Sequence, residues 1–194
     1  MKQFVIPPLL MILFLLIINS CSDSTNSAIK KLYGKEMVFN NQMKQVLKDT
    51  IQDINISDIP IKIVLNAEPR LCNSCFANYY KVISHYIQTI GNDSVKCIFI
   101  INDVHKEVLR TIMKEQEYKS IIVLLDNEKH YLSNNSLEKY HNMLTCFLLD
   151  KNNRVVLVGD PLRSSRIREL YNEQIRLLLA NEGMKTRNRL FVRK

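Results

Sequence analysis

Residues 61–91 of the chain read IKIVLNAEPRLCNSCFANYYKVISHYIQTIG, and they decide how its central part is expected to fold. The first six residues form a short run rich in β-branched side chains, which is typical of a buried strand. Cys72 and Cys75 follow, and apolar residues then recur with helical spacing as far as Gly91, where a helix can end. The sequence therefore predicts a strand at Ile61–Asn66 and a helix that begins close to Cys72. The face of this helix that packs on the core would carry Phe76, Tyr79, Tyr80, Ile83, Ile87 and Ile90.

The two cysteines could have any of three roles: a redox pair, half of a metal site, or two small apolar residues that happen to be close. A structural zinc site needs four ligands, and the sequence contains no second Cys-x-x-Cys and no His-x3-His. His85 is predicted to face away from the core, about 180° from Phe76 around the helix. We therefore expect no bound metal and no other cofactor. The four histidines, which stand apart in the sequence, are His85, His105, His130 and His141.

Two further apolar runs of strand length follow the first one. They are VKCIFII at residues 95–101 and SIIVLLD at residues 120–126. The segment between them, residues 102–118, has the apolar spacing of a helix. The sequence thus predicts a second and a third strand joined by a helix.

The last third of the chain is predicted to contain a short helix, a hairpin and a long helix. Residues 135–143 would form the short helix with Ser136 as its cap, and residues 145–161 would form two strands around the turn DKNN. The long helix is expected to end at Gly183. Residues 27–57 give mixed signals, with a turn glycine, alternating apolar residues and a helix-like stretch. The apolar face of the long helix would carry Ile167, Leu170, Tyr171, Ile175, Leu178 and Leu179.

The order of these elements indicates the fold class. Helices that alternate with buried strands predict an α/β fold with a mixed, mostly parallel central sheet and helices on both of its faces. The hairpin near the end of the chain would add one antiparallel edge.

The beginning of the chain has the pattern of an export signal. A short basic start is followed by an apolar run at Phe4–Ile18, which at about fifteen residues is shorter than the roughly 20 of a spanning helix. The letters IINSCS then resemble a bacterial lipobox, which implies that residues 1–20 are a lipoprotein signal peptide and that Cys21 carries acyl chains. Residues 21–28 would be a flexible tether. An uncleaved anchor is the alternative, and either would hold the domain outside the cytosol.

The length and charge of the remaining chain limit its organisation and partners. Residues 29–183 are enough for one compact domain, and residues 184–194 would form a basic tail. Residues 151–194 hold 11 Lys and Arg against 4 Asp and Glu. Such a charge could meet anionic lipid headgroups or nucleic acid, or simply lie on a solvated helix face. Because the chain is expected to be exported, we expect no nucleic-acid partner.

The strand, the Cys-x-x-Cys pair and the helix, together with FLLDKNNRVV at residues 147–156, resemble the thioredoxin-like thiol-disulfide oxidoreductase lipoproteins. The resemblance covers roughly residues 33–179 and is strongest to exported, lipid-anchored forms common in Bacteroidetes. It implies a thioredoxin-like fold and thiol-disulfide exchange with thiols and disulfides of envelope proteins. The protein would be anchored in the cell envelope, facing the periplasm or at the outer-membrane surface, by the lipid on Cys21.

The resemblance also implies roles for the two cysteines. Cys72 would attack as a thiolate, favoured by the free N–H groups at a helix N-terminus and by Arg70 two positions earlier. Cys75, more enclosed, would resolve the mixed disulfide. Asn73 and Ser74 occupy the positions that often tune the potential of such pairs.

Two positions depart from the family pattern. Leu71 stands where an aromatic residue usually precedes the first cysteine. Leu144 stands where the family has a cis-proline, in the loop of Met143, Leu144 and Thr145 that would dock the substrate. A cis bond before a non-proline residue costs roughly 2.5 to 4 kcal/mol, so we expect a trans bond and a reshaped docking loop.

These departures leave a second function open, a non-catalytic thioredoxin-fold module that binds a partner or supports an envelope assembly. Thiol reactivity at neutral pH would distinguish the two. A third class, the peroxide-reducing redoxins, would need a Thr three residues before the attacking cysteine, where this chain has Pro69.

Cys97 and Cys146 each lie inside a predicted apolar strand and are expected to pack as small apolar residues. A redox role for Cys146 stays open because it lies two residues after Leu144. The family topology places the strand that leads into Cys72 between the two strands that hold them. Their separation would then be roughly 9 to 10 Å, beyond the ~7 Å that a disulfide can bridge. We therefore predict two free thiols.

Overall fold

The computed structural model of the chain describes residues 25–47, 50–66, 72–101, 107, 110, 120–140 and 146–191, with side chains as far as residue 181. The described residues form a seven-stranded sheet in the order β2-β1-β5-β4-β3-β6-β7. Its strands are β1 (Lys44–Val46), β2 (Ile51–Asp53), β3 (Ile61–Asn66), β4 (Val95–Ile101), β5 (Ile121–Leu125), β6 (Phe147–Leu149) and β7 (Val155–Val158).

Helices cover both faces of this sheet. They are α1 (residues 25–32), α2 (Asn73–Ile90), α3 (His130–Asn134) and α4 (Ser165–Phe191). One face packs against α2 and α4 and forms what we call the α2-side core; its members include Ile63, Leu65, Phe76, Tyr80, Phe99 and Tyr171. The other face forms the α3-side core, which includes Leu32, Met37, Val64, Ile98, Tyr131 and Phe147. The predicted α/β fold with helices on both faces is confirmed.

The sheet has more antiparallel strand pairings than the sequence predicted. Among the described strands, the pairings of β4 with β3 and with β5 are parallel, and the other four are antiparallel. The sheet is mixed, as predicted, but it is mostly antiparallel. The difference arises because residues 44–53, which gave mixed signals in the sequence, form the β1–β2 hairpin, and because β6 runs against β3.

β3 is an inner strand of the sheet and precedes the cysteines in the chain. It lies between β4 and β6, and its residues alternate between the two cores, with Ile63 and Leu65 on the α2 side and Val64 on the α3 side. This period of two is the geometry of a strand buried on both faces. The predicted boundaries Ile61–Asn66 are confirmed.

The short helix is not where the sequence pattern placed it. The prediction of a helix at residues 135–143 capped by Ser136 is wrong for its described part, because the helix is α3 and Ser136 follows it with a left-handed φ of 51°. The buried carboxylate of Asp126 accepts hydrogen bonds from the backbone N–H groups of His130 and Tyr131, both at 2.8 Å. This capping, together with the burial of Tyr131, places the helix earlier in the chain than the sequence pattern predicted.

The ends of the described chain also differ from expectation. The last helix does not stop at Gly183 but continues to Phe191, since one glycine among good helix formers costs only about 1 kcal/mol. The first helix includes residues 25–28, which were expected to belong to a flexible tether. Within the ranges given above, none of the helices has the length and apolar character needed to cross a bilayer. The apolar run Phe4–Ile18 and Cys21 lie outside the described residues.

Candidate redox site

Cys72 lies at the start of α2, the helix that follows β3 in the chain. It is the N-cap residue of α2, with extended backbone angles of φ −64° and ψ 153°, and Gly91 ends the helix in the left-handed region. The predicted start and end of this helix are therefore confirmed. Cys72 and Cys75 form a disulfide, with their Cα atoms 5.1 Å apart.

The sulfur of Cys72 receives the hydrogen bond that a capping side chain normally accepts. The backbone N–H of Cys75 donates to Cys72 Sγ at 3.2 Å, and Ser74 Oγ lies 3.2 Å from the same sulfur. The first turn of α2, which is fully described, contains no acidic residue. A thiolate released at Cys72 would thus meet N–H donors, the positive end of the helix dipole and a hydroxyl.

Both sulfur-bearing residues are exposed to solvent. The expectation that Cys75 is the more enclosed of the two stays a prediction for the reduced protein. Their hydrogen bonds distinguish the two cysteines. Cys72 accepts the N–H of the helix end, so it is the sulfur better suited to carry negative charge.

An aromatic cluster holds the first half of α2 against the sheet. The rings of Phe76, Tyr79 and Tyr80 all pack on Phe99 of β4, with centroid distances of 5.5, 5.9 and 5.7 Å. Phe76 directly follows Cys75, and its N–H donates to the carbonyl of Cys72 at 2.9 Å. The helix end that carries the disulfide is therefore attached to the α2-side core.

A second attachment joins α2 to the segment between β7 and α4. The hydroxyl of Tyr79 donates to the carboxylate of Asp160 at 3.0 Å, and Asp160 also accepts the N–H of Leu162 at 2.8 Å. The hydroxyl of Tyr171 donates to the carbonyl of Gly159 at 2.7 Å. Burial, the Cys146 thiol and the Asp160 carboxylate raise the pKa of Tyr79. No sequence pattern predicted this pairing, which joins residues 81 positions apart.

Cys97 and Cys146 are buried, and neither forms a disulfide with another described residue. Cys97 lies on β4 and Cys146 directly before β6, so β3 separates them, which confirms the predicted strand order. Burial, followed by the nearby Cys146 thiol and Asp160 carboxylate, raises the pKa of Cys97. Both thiols belong to the α2-side core.

Several predicted site residues lie outside the described part of the chain. These are Cys21, Pro69, Arg70, Leu71, His105, His141, Met143, Leu144 and Thr145. His85 is exposed on α2, as predicted. Within the described residues, no group of three or more His, Cys, Asp or Glu side chains is placed to hold a metal ion.

The arrangement can carry out one type of reaction with its own atoms. A disulfide between Cys72 and Cys75 can accept two electrons, becoming a thiolate and a thiol, and can return them by forming again. Both sulfurs are accessible to another molecule, and the charged state of one is stabilised by the helix end.

Comparison with known proteins bears on the fold. No family model matches the chain, and no curated protein matches it. A solved structure of a candidate thiol-disulfide oxidoreductase from Bacteroides vulgatus is similar with a TM-score of 0.52 and 13% identity, over 73% of this chain and 96% of that one. The mitochondrial 2-Cys peroxiredoxin from Plasmodium falciparum is similar with a TM-score of 0.50 and 17% identity, over 78% of this chain and 96% of that one. With its disulfide at the start of the helix that follows β3, the chain has a thioredoxin-like fold.

Proposed function

We propose that the protein catalyses thiol-disulfide exchange through Cys72 and Cys75. The observation that supports this most directly is the exposed disulfide at the start of α2, in which Cys72 Sγ accepts the N–H of Cys75. The similar structure from Bacteroides vulgatus, itself a candidate thiol-disulfide oxidoreductase, agrees with it.

The reaction in the reducing direction uses only sulfur atoms and one proton transfer. The Cys72 thiolate attacks one sulfur of a partner disulfide, and the other partner sulfur leaves as a thiolate and takes up a proton. Cys75 then loses its proton and attacks Cys72, which forms the Cys72–Cys75 disulfide and releases the partner with both sulfurs reduced. Two electrons pass to the partner, and the reverse sequence would oxidise it.

The substrate-docking loop is proposed to be Met143, Leu144 and Thr145. Its placement is supported by β6, which begins at Phe147 and runs antiparallel to β3, with Phe147 opposite Val64. The first residue of β6 therefore lies near the end of β3 that precedes Cys72 in the chain. Leu144 in place of proline would give this loop a different shape from that of its relatives.

The partners are proposed to be thiols and disulfides of envelope proteins, and the protein is proposed to be held at the membrane by acyl chains on Cys21. The apolar run Phe4–Ile18 and the letters INSC support this anchoring. Cys21→Ala should release the protein from the membrane fraction. Mass spectrometry of the isolated protein should find Cys21 as the first residue; a chain that keeps residues 1–20 would contradict the proposal.

The exchange itself is tested by equilibrating the protein with glutathione buffers and by trapping. We expect a reversible potential for the Cys72–Cys75 pair and, with Cys75→Ser, mixed disulfides between Cys72 and envelope proteins. Cys72→Ser is the matched control and should trap none. A pair that neither reacts with thiols at neutral pH nor traps a partner would overturn the proposal in favour of a non-catalytic binding module.

A further inference from the structure

The first helix lies close in sequence to the proposed lipid anchor. Thr25, the first described residue, already belongs to α1, and only three residues separate it from Cys21. Four residues of fully extended chain cover at most about 14 Å. With acyl chains on Cys21, the membrane surface must therefore lie within about this distance of Thr25.

α1 is firmly attached to the folded domain. Leu32 is buried and belongs to the α3-side core. The N–H of Gly34 donates to the carbonyl of Val155 at 2.8 Å, and the N–H of Val155 donates to the carbonyl of Lys35 at 2.9 Å. A membrane that contacts α1 therefore has a defined orientation relative to the sheet.

The exposed side of α1 carries positive charge and an aromatic ring. Residues 25–35 contain three Lys and no Asp or Glu. Lys30 and Lys31 are exposed, and neither forms an ion pair with another described residue. Lys30 lies about 160° around the helix from the buried Leu32. Tyr33, directly after α1, is 67% exposed. We call Lys30, Lys31 and Tyr33 the α1 patch.

These side chains suit the surface of an anionic bilayer. Lys is attracted to anionic headgroups, and the ring of Tyr is favoured at the boundary between headgroups and acyl chains. Glu36, the first acidic residue after the patch, forms a β-bridge with Arg154, so opposite charges lie on neighbouring residues there. A lipid surface is always within reach of α1 in the anchored protein, whereas a protein partner would have to enter the narrow space between them.

The α1 patch and the disulfide lie on opposite faces of the sheet. Leu32 attaches α1 to the α3-side core. α2, which carries Cys72 and Cys75, packs on the other face through Phe76 and Tyr80. A membrane beneath α1 therefore leaves α2 on the side that faces away from it.

The two sites also lie toward opposite ends of the sheet. The chain after α1 bonds to Val155 at the start of β7. The antiparallel pairings of β7 with β6 and of β6 with β3 place Val155 level with Lys62, near the start of β3. Phe76, the residue after the disulfide, packs on Phe99, whose partner Leu65 is near the end of β3.

We propose that the α1 patch contacts an anionic phospholipid surface and so turns the Cys72–Cys75 disulfide away from the membrane. The proposal rests on the proposed acylation of Cys21 and is independent of the exchange reaction. It assigns α1 the role of orienting the domain. A disulfide held on so short a tether would then stay accessible to proteins in the aqueous compartment.

Tryptophan fluorescence tests the orientation with the full-length acylated protein. The vesicles contain phosphatidylglycerol and phosphatidylcholine, with or without bromine on the acyl chains near the headgroup. The chain has no Trp, so Tyr33→Trp places a single reporter in the α1 patch. Val82→Trp, at a position 44% exposed on α2, is the control. Bromine should quench the Tyr33→Trp variant at least about twofold more than the control, as expected for a ring at the lipid boundary. Equal quenching would overturn the proposal.

Removal of charge tests the contact with anionic lipid. In the Tyr33→Trp background, Lys30→Gln combined with Lys31→Gln should lower the ratio of docked to undocked protein about tenfold or more, because both lysines act near the anionic surface. Lys81→Gln combined with Lys129→Gln removes the same charge from exposed positions outside the patch and should leave the quenching unchanged. An equal effect of the two pairs, or none, would overturn the proposal.

Flotation of the vesicles and the mass of the chain separate the contact from the anchor. A chain that carries acyl groups and floats, but shows equal quenching in the Tyr33→Trp and Val82→Trp variants, would overturn the α1 contact alone. A chain without acyl groups that does not float would overturn the anchor and the α1 contact with it. Thiol-disulfide exchange is measured separately in glutathione buffers, so either result leaves that proposal standing.

Discussion

Tyr79 donates a hydrogen bond to Asp160 one helical turn after Cys75, and this bond ties the cysteine-bearing helix to the segment that connects β7 with α4. The two residues are 81 positions apart in the sequence. The bond adds a polar contact to the aromatic packing on Phe99, so α2 is held at its first turns by two different kinds of interaction.

Removing the hydroxyl of Tyr79 should therefore destabilise the fold. Tyr79→Phe keeps the ring on Phe99 but leaves the partly buried Asp160 carboxylate with one donor fewer, which should lower the free energy of unfolding by about 1–2 kcal/mol. Urea unfolding measures this. Tyr33→Phe, at a side chain that is 67% exposed, should change it by less than about 0.5 kcal/mol. Equal effects would show that the Tyr79–Asp160 bond does not contribute.

Ser74 should assist the reactivity of Cys72. Its hydroxyl lies 3.2 Å from Cys72 Sγ and can donate to a thiolate there. In the reduced protein, Ser74→Ala should slow alkylation of Cys72 by iodoacetamide at pH 7 about threefold, corresponding to a weak hydrogen bond at an exposed site. Asn78→Ala, exposed one turn later, should leave the rate unchanged. If Ser74→Ala does not alter this rate, the Cys72 thiolate is stabilised by backbone N–H groups alone.

Cys97 and Cys146 should be protected from alkylation in the folded protein. Both are buried, and burial raises the pKa of the Cys97 thiol, so little thiolate forms there at neutral pH. After reduction, iodoacetamide at pH 8 should label Cys72 and Cys75, and the other two only in guanidinium chloride. Peptide mapping by mass spectrometry reads out all four positions. A Cys97–Cys146 crosslink in the non-reduced protein would contradict the strand order.

The stability of the protein should fall at alkaline pH. Burial raises the pKa of Tyr86 to about 12 although Arg168 counteracts it, compared with about 10 in an unfolded chain. Between these values the unfolded state loses the proton while the folded state keeps it, so the stabilisation present below pH 10 is lost as the pH rises. Tyr86→Phe should lose less free energy of unfolding between pH 10 and 11 than the wild type. An equal loss would rule out this residue as a cause.

Asp126 should be needed for α3. Asp126→Ala removes the acceptor of two N–H groups at the start of this helix and should cost about 1–2 kcal/mol of unfolding free energy. Glu128→Ala is the control, since its side chain is 80% exposed and its pairing with His130 contributes little. If both variants unfold at the same denaturant concentration, the position of α3 is not set by Asp126.

The parts of the fold that the sequence predicted correctly depend on local patterns. The β-branched run of β3, the helical spacing after Cys75 and Gly91 each act within one element, and each lies where it was predicted. The β1–β2 hairpin was not predicted because strands of three residues are too short to show a period.

Other features depend on residues far apart in the sequence. Lys62 is fully buried because its Nζ donates to the carbonyls of Ile59 and Lys151, and the second lies 89 positions away. The Tyr79–Asp160 bond is of the same kind. For the candidate site, the strand, the cysteines and the helix were predictable, whereas the bond between Tyr79 and Asp160 that holds the helix was not.

The Cys72–Cys75 bond closes a loop with a sequence separation of only 3. A crosslink stabilises a fold mainly by restricting the unfolded chain, and so short a loop restricts it by only about 2 kcal/mol, less than half of what a 100-residue loop would give. Neither cysteine belongs to the two cores, which are built from other described residues. The domain can therefore stay folded whether the bond is open or closed. The free energy of opening and closing the bond then depends on the chemistry of the two sulfur atoms and not on refolding of the chain.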